Sequence, residues 1–84
     1  MPTREEILDR LTKITLETVP ELGKTRLDPD RPSAELGISS VNLAAIMTKL
    51  TAELGVKVPA SEMLDAVTPG ELVDLMVRKV AEKG

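Results

Sequence analysis

The sequence predicts an all-α fold, a small four-helix bundle made of three main helices and one short helix. Apolar residues recur every three or four positions in three separate segments, and no segment has the two-residue alternation of a half-buried strand. The 84 residues are enough for one domain, residues 1–84, with a modest core. That core must be aliphatic, because the chain has no Phe, Tyr or Trp.

The first helix is predicted over residues 3–18. Thr3 and Glu6 have the spacing of a capping box, in which the cap and the third helical residue bond each other. Pro20 and Gly23 are predicted to end the helix. The buried stripe consists of apolar residues at helical spacing, namely Ile7, Leu8, Leu11 and Ile14.

A long first loop follows, over residues 20–39, and it is rich in proline, glycine and aspartate. A loop of roughly 20 residues is unusual in a compact domain and is often functional. Apolar residues spaced along it are predicted to pin it to the core, namely Leu22, Leu27, Leu36 and Ile38.

The second helix is predicted to begin at Ser39 or Ser40 and to end at Leu54, with Gly55 as a left-handed cap. Either serine can cap the helix and leave the other free. The predicted core-facing residues are Leu43, Ile46, Met47, Leu50 and Leu54. A second stripe of small or weakly apolar residues starts beside Ser40 and consists of Val41, Ala44, Ala45 and Thr48. This stripe either packs against the long loop or is a docking face for partner proteins.

The short third helix is predicted over residues 61–65, with Ser61 as its cap and with Leu64 and Val67 pointing inward. The last helix starts at the sequence TPGE, residues 68–71, which has a capping-box spacing and a proline at the first helical position. Its predicted buried stripe is Leu72, Val73, Met76 and Val80.

Composition excludes several classes of function. The chain has no Cys and no His, so it lacks a thiolate nucleophile, a cysteine metal site and a histidine base. We therefore expect no catalytic residue and no metal site, and a carboxylate pair is the one remaining acid–base option. A net charge of −3 without a basic cluster argues against nucleic-acid binding.

The same sequence argues against a membrane protein. No apolar run approaches the ~20 residues of a membrane span. Residues 1–10 are charged and do not form the apolar centre of a secretory signal. We expect a cytoplasmic monomer.

The stretch LGISSV, residues 36–41, resembles the motif of the acyl carrier protein family. That motif reads leucine, glycine, any residue, aspartate, serine, then leucine or methionine. Leu36 and Gly37 match it, Ser40 takes the position of the modified serine, and Val41 is a conservative replacement of the leucine. The resemblance covers essentially the whole chain, without an insertion after Ser40.

The resemblance implies that the Ser40 hydroxyl is esterified by a 4′-phosphopantetheine arm taken from coenzyme A. The arm would carry an acyl or aminoacyl group as a thioester, and the protein would be a non-catalytic shuttle. The implied partners are a phosphopantetheinyl transferase, an acyl-loading enzyme (acyltransferase or ligase) and a condensing ketosynthase. The alternatives are a peptidyl carrier, or an unmodified helical interaction module in which the two serines merely cap the helix.

The chain departs from the family in two places. Ser39 stands where the family usually has the aspartate that the transferase recognises. The helix after Ser40 has one Lys, Lys49, and one Glu, Glu53, whereas the family's helix is strongly acidic. Electrostatic steering by this helix is therefore expected to be weak. We expect a specialised carrier for polyketide or nonribosomal peptide enzymes rather than for general fatty acid synthesis.

Overall fold

The computed structural model describes residues 2–22 and 28–83, and within these ranges the regular secondary structure is entirely helical. The elements are α1 (Arg4–Thr18), α2 (Ser40–Leu54), α3 (Ala60–Asp65) and α4 (Pro69–Lys83), with 3₁₀ turns at Pro20–Leu22 and Ser33–Leu36 in the loop between α1 and α2. The predicted all-α class is confirmed, as are the three long helices and the short one. Within the same ranges, no helix is both long enough and apolar enough to cross a bilayer.

α1 begins where its sequence predicts because Thr3 caps it. Thr3 Oγ1 accepts a hydrogen bond from Glu6 N at 3.1 Å, and Glu6 Oε1 accepts one from Thr3 N at 3.4 Å. The predicted capping box is therefore present. The helix ends at Thr18, just before Pro20. Gly23, the second predicted stop, lies outside the described residues.

The core lies where α1 packs against α2 and α4. Its largest fully buried aliphatic side chains come from all three helices, namely Ile7, Leu11, Ile46, Met47, Leu50, Leu72, Val73 and Met76. The predicted apolar stripes are thus confirmed, with Leu43 only partly buried at the edge of the core. One face of α2 is therefore held firmly in the bundle.

The long loop is anchored at both ends of its described part. Leu36 and Ile38 are buried in the core and Leu22 packs against it, as predicted. Leu27 lies outside the described residues. Two backbone hydrogen bonds of 2.9 Å tie the loop to the start of α4 and the residues before it, one from Ser33 N to Val67 O and one from Gly70 N to Pro29 O.

The short helix α3 differs from the prediction. It begins at Ala60, Pro59 precedes it, and no side chain caps it, so the predicted cap at Ser61 is wrong. The inward direction predicted for Leu64 and Val67 is also wrong, because these side chains are 70% and 54% exposed. In such a short segment few positions face the core, and Met63 and Ala66 take them: Met63 packs against the core and Ala66 is buried.

The start of α4 is confirmed at Pro69. Thr68 Oγ1 accepts a hydrogen bond from Glu71 N at 3.1 Å and donates one to Glu71 Oε1 at 3.3 Å. The predicted buried stripe of this helix is confirmed, and Leu75 is buried as well. Arg4 Nε donates to Asp74 Oδ1 at 2.7 Å, which joins α1 to α4, and this hydrogen bond raises the pKa of the Arg4 guanidinium.

Gly70 is a position where any side chain would disturb the anchored loop. A Cβ built there would lie 2.8 Å from the backbone oxygen of Pro29. We expect Gly70→Ala to lower the free energy of unfolding by about 1 kcal/mol or more, because the steric cost of ~1–3 kcal/mol exceeds the gain in helix propensity. Urea denaturation measures this change. Hydrogen exchange should also show lost protection of the residue-70 amide, and a variant as stable as the parent would contradict the prediction.

The buried hydroxyl of Ser33 is expected to reduce the free energy of unfolding relative to an alanine at the same position. The residue is 5% exposed, and Ser33 Oγ has no hydrogen-bond partner within the described residues. Because an unpaired buried hydroxyl costs ~1–3 kcal/mol, Ser33→Ala should raise the free energy of unfolding by about 1 kcal/mol. Ser61→Ala, at an exposed serine, is the matched control and should change stability by less than ~0.5 kcal/mol. A decrease for Ser33→Ala in urea denaturation would show that the hydroxyl is paired.

Candidate functional site

Ser39 and Ser40 take different roles at the N-terminus of α2. Ser39 has extended backbone angles (φ −75°, ψ 163°), and its Oγ accepts a hydrogen bond from Asn42 N at 3.1 Å. Ser39 is therefore the cap. Ser40 is the first helical residue; it is exposed, and no described residue hydrogen-bonds its hydroxyl. Of the two serines that could cap α2, the structure therefore uses Ser39, and it leaves the Ser40 hydroxyl without a partner in residues 2–22 and 28–83.

The turn before Ser39 holds this part of the chain in place. Gly37 has φ +89°, a left-handed conformation that favours glycine. Leu36 and Ile38 on either side are buried, and Ile38 N donates to Ser33 O at 3.2 Å. Buried side chains flank the turn, and α2 is packed in the core. The Ser40 hydroxyl is therefore held in a defined position on the surface.

An apolar groove opens beside Ser40, between α2 and α3. Its volume is ≈ 250 Å³, and Ser40 lines it together with Leu43, Ala44, Met47, Thr48, Ala60, Met63 and Leu64. Met47 is fully buried, so it closes the groove on the core side. The sequence did not predict this groove, because it depends on the placement of the short helix α3.

The first half of α2 and the start of α3 carry no charge. No ionisable residue occurs from residue 39 to 48 on α2, or from residue 58 to 61 at the start of α3. Val41 is 78% exposed, and the rest of the predicted second stripe, Ala44, Ala45 and Thr48, is exposed as well. These four residues therefore do not pack against the described part of the long loop.

The site suits the attachment of a phosphate ester. The hydroxyl of Ser40 is accessible and has no partner among the described residues. It stands at a helix N-terminus, whose free N–H groups and dipole favour negative charge. The first turn of α2 has no acidic residue that would repel a phosphate. The residues present therefore fit a prosthetic group joined through a phosphodiester.

The fold and the site together are those of a small helical bundle with an exposed serine at the start of α2. Residues 8–76 match the family model described as a phosphopantetheine attachment site. The protein therefore belongs to this family, which confirms the resemblance to acyl carrier proteins. The prosthetic group of the family is 4′-phosphopantetheine, bound covalently.

The curated relatives include both a free-standing carrier and parts of large synthases. The chain is 32% identical over 77 residues to the polyketide biosynthesis acyl-carrier-protein AcpK of Bacillus subtilis, an alignment that covers 92% of this chain and 94% of that protein. It is 37% identical over 60 residues to a mycocerosic acid synthase-like polyketide synthase of Mycolicibacterium smegmatis, covering 71% of this chain and 3% of the synthase. The synthase of the same name from Mycobacterium tuberculosis is 32% identical over 78 residues, which cover 93% of this chain and 4% of the synthase.

Proposed function

We propose that this protein carries acyl intermediates of polyketide biosynthesis as thioesters, on a 4′-phosphopantetheine arm attached to the Ser40 hydroxyl. The observation that supports this most directly is that Ser39 caps α2, while the Ser40 hydroxyl is exposed and bonds to no residue in the described part of the chain. The similarity to AcpK along nearly its whole length favours the polyketide setting. Residues 1–84 act as a single carrier domain in this proposal.

The residues of the chain attach and present the arm. Ser40 Oγ forms the ester bond, and the N-terminal N–H groups of α2 stabilise the negative charge of the phosphate. The arm itself supplies the thiol that holds the cargo, which explains how a chain without Cys or His can serve this chemistry. Ser39 is neutral, so it caps the helix without placing a second negative charge beside the phosphate.

The groove beside Ser40 favours an acyl cargo over an aminoacyl one. It is lined mainly by aliphatic side chains and methionines, with Ser40 and Thr48 at its polar edge. An apolar chain gains free energy when it leaves water for such a surface, whereas the charged amine of an aminoacyl group would lose hydration there. We therefore rank the acyl carrier above the peptidyl carrier.

The proposal extends to the partners. A phosphopantetheinyl transferase would install the arm, an acyltransferase or ligase would load it, and a ketosynthase would take the cargo. We infer that Val41, Ala44, Ala45 and Thr48 form the docking face, since they are exposed beside Ser40. We also infer that the protein acts as a cytoplasmic monomer and that its partners provide all the catalysis.

The test is the intact mass of the protein after incubation with coenzyme A and a broad-specificity phosphopantetheinyl transferase. We expect a gain of one phosphopantetheinyl group, located at Ser40 by fragmentation of the tryptic peptide that contains it. A sample without transferase is the control. If several transferases add nothing to the folded protein, the unmodified interaction module becomes the better description.

A further inference from the structure

The short helix α3 has little to hold it in place by itself. It spans six residues, none of them is buried, and no side chain caps it. An isolated helix of this length is not stable in water. Its position must therefore come from contacts with the rest of the bundle, and the partly buried Met63, which packs against the core, is one of them.

An ion pair joins α3 to α4. Lys79 Nζ on α4 donates to Glu62 Oε1 on α3 at 3.3 Å and lies 3.0 Å from Glu62 Oε2. The pair is partly shielded from water, because the Lys79 side chain is only 19% exposed and Glu62 Oε2 is a buried atom. Water and salt weaken a shielded pair less than an exposed one. This contact therefore contributes to the position of α3.

Lys79 has a second acidic partner on its own helix. Glu82 Oε1 lies 3.7 Å from Lys79 Nζ, three residues further along α4. When α3 moves away from α4, the ammonium group of Lys79 can turn to Glu82, and the carboxylate of Glu62 becomes hydrated. Neither charge is then left buried without a partner, which is the arrangement that makes the breaking of an ion pair costly. Release of α3 is therefore inexpensive.

The ion pair acts on one wall of the groove beside Ser40. Three residues of α3 line that groove, namely Ala60, Met63 and Leu64. Glu62 does not line it, and instead borders a separate depression between α3 and α4. The contact with Lys79 thus holds α3 from its α4 side. A shift of α3 changes the width of the groove without any rearrangement of the three long helices.

We propose that Glu62 and Lys79 form a latch that fixes α3 and thereby sets the width of the groove, and that Glu82 makes the latch reversible by accepting Lys79 when α3 moves. Glu62 and Lys79 are positioning residues, because neither lines the groove. The role of the latch in the carrier rests on the proposed function of Ser40. A movable wall lets a groove of ≈ 250 Å³ accommodate acyl groups of different size.

The test is amide hydrogen exchange of the full, unmodified chain. Met63 N donates to Pro59 O at 3.3 Å and Ala66 N donates to Met63 O at 3.2 Å, so the exchange of these two amides reports the opening of α3. The amide of Leu50, in the buried face of α2, reports the opening of the whole bundle.

Lys79→Met removes the charge and keeps a long side chain with good helix propensity. We expect the exchange of the Met63 and Ala66 amides to become about tenfold faster, because the carboxylate of Glu62 loses its partner. The exchange of the Leu50 amide should stay within about threefold of the parent. Lys57→Met is the matched control, because Lys57 is exposed and no described residue forms an ion pair with it; its exchange should equal that of the parent.

Glu82→Gln separates a reversible latch from a fixed ion-pair network. Because Lys79 then loses its alternative partner, the exchange of the Met63 and Ala66 amides should become about twofold slower. In a fixed network, the loss of any acidic partner would leave this exchange unchanged or make it faster. In a Glu62→Gln background, Lys79→Met should change the exchange by less than about twofold, since the pair is already broken.

Exchange of Lys79→Met at the rate of the parent overturns the latch. Unchanged or faster exchange in Glu82→Gln overturns its reversibility. A chain whose exchange behaves as expected but which accepts no arm overturns the proposed function and leaves the latch intact, so the two failures are distinguishable. Circular dichroism confirms that each variant is folded.

Discussion

Ser40→Ala is expected to abolish the mass gain produced by coenzyme A and a phosphopantetheinyl transferase. The substitution removes the oxygen to which the arm would be joined. It leaves the helix intact, because Ser39 supplies the hydrogen bond to Asn42 N at 3.1 Å and alanine is the best helix former. Intact mass spectrometry of the parent and the variant, treated side by side, measures the effect.

Ser39→Ala is the matched control for this experiment. It removes the cap, so the free energy of unfolding should fall by about 1 kcal/mol. The hydroxyl of Ser40 remains, so the folded variant should still gain one phosphopantetheinyl group. If Ser40→Ala is modified, or if a folded Ser39→Ala is not, the assignment of the attachment to Ser40 is wrong.

Leu50→Ala is expected to have the largest effect on stability. The Leu50 side chain, in the second half of α2, is 0% exposed. Truncation of a buried leucine costs roughly 2–5 kcal/mol, from lost burial and from the cavity that remains. A domain of this size has a total stability of only about 5–10 kcal/mol. We therefore expect the urea midpoint of the variant to fall steeply.

The neighbouring Lys49 provides the control for that measurement. Lys49 is exposed on the same helix, so Lys49→Ala should change the free energy of unfolding by less than ~0.5 kcal/mol. A small effect of Leu50→Ala, similar to that of Lys49→Ala, would mean that α2 is not packed as described.

These two sets of variants address the two faces of α2. One face is buried through Ile46, Met47, Leu50 and Leu54, and it holds the helix in the bundle. The other face is exposed, begins at Ser40 and carries no charge as far as Thr48. A carrier needs both faces, since the first keeps the attachment point in a defined place and the second is available to the enzymes that act on the cargo.

The sequence by itself predicted the long helices and most of their ends. The signals at the helix ends are local, because each depends on hydrogen bonds or backbone angles within a few residues. They are the pair Thr3 and Glu6 for α1, Gly55 for the end of α2, and Thr68 before Pro69 for α4. The core stripes were predictable for a similar reason, because helical periodicity in a segment of fifteen residues leaves one face for burial. The family motif also indicated Ser40 as the candidate residue.

Only the tertiary structure decided which serine caps α2, how α3 is oriented and where the groove lies. Both serines satisfy the local requirements of a cap, and the backbone angles of Ser39 and its hydrogen bond from Asn42 N are what identify Ser39 as the cap. The six residues of α3 span less than two turns. A segment that short has too little periodicity to reveal its buried side, and long-range packing of Met63 and Ala66 turned Leu64 and Val67 outward.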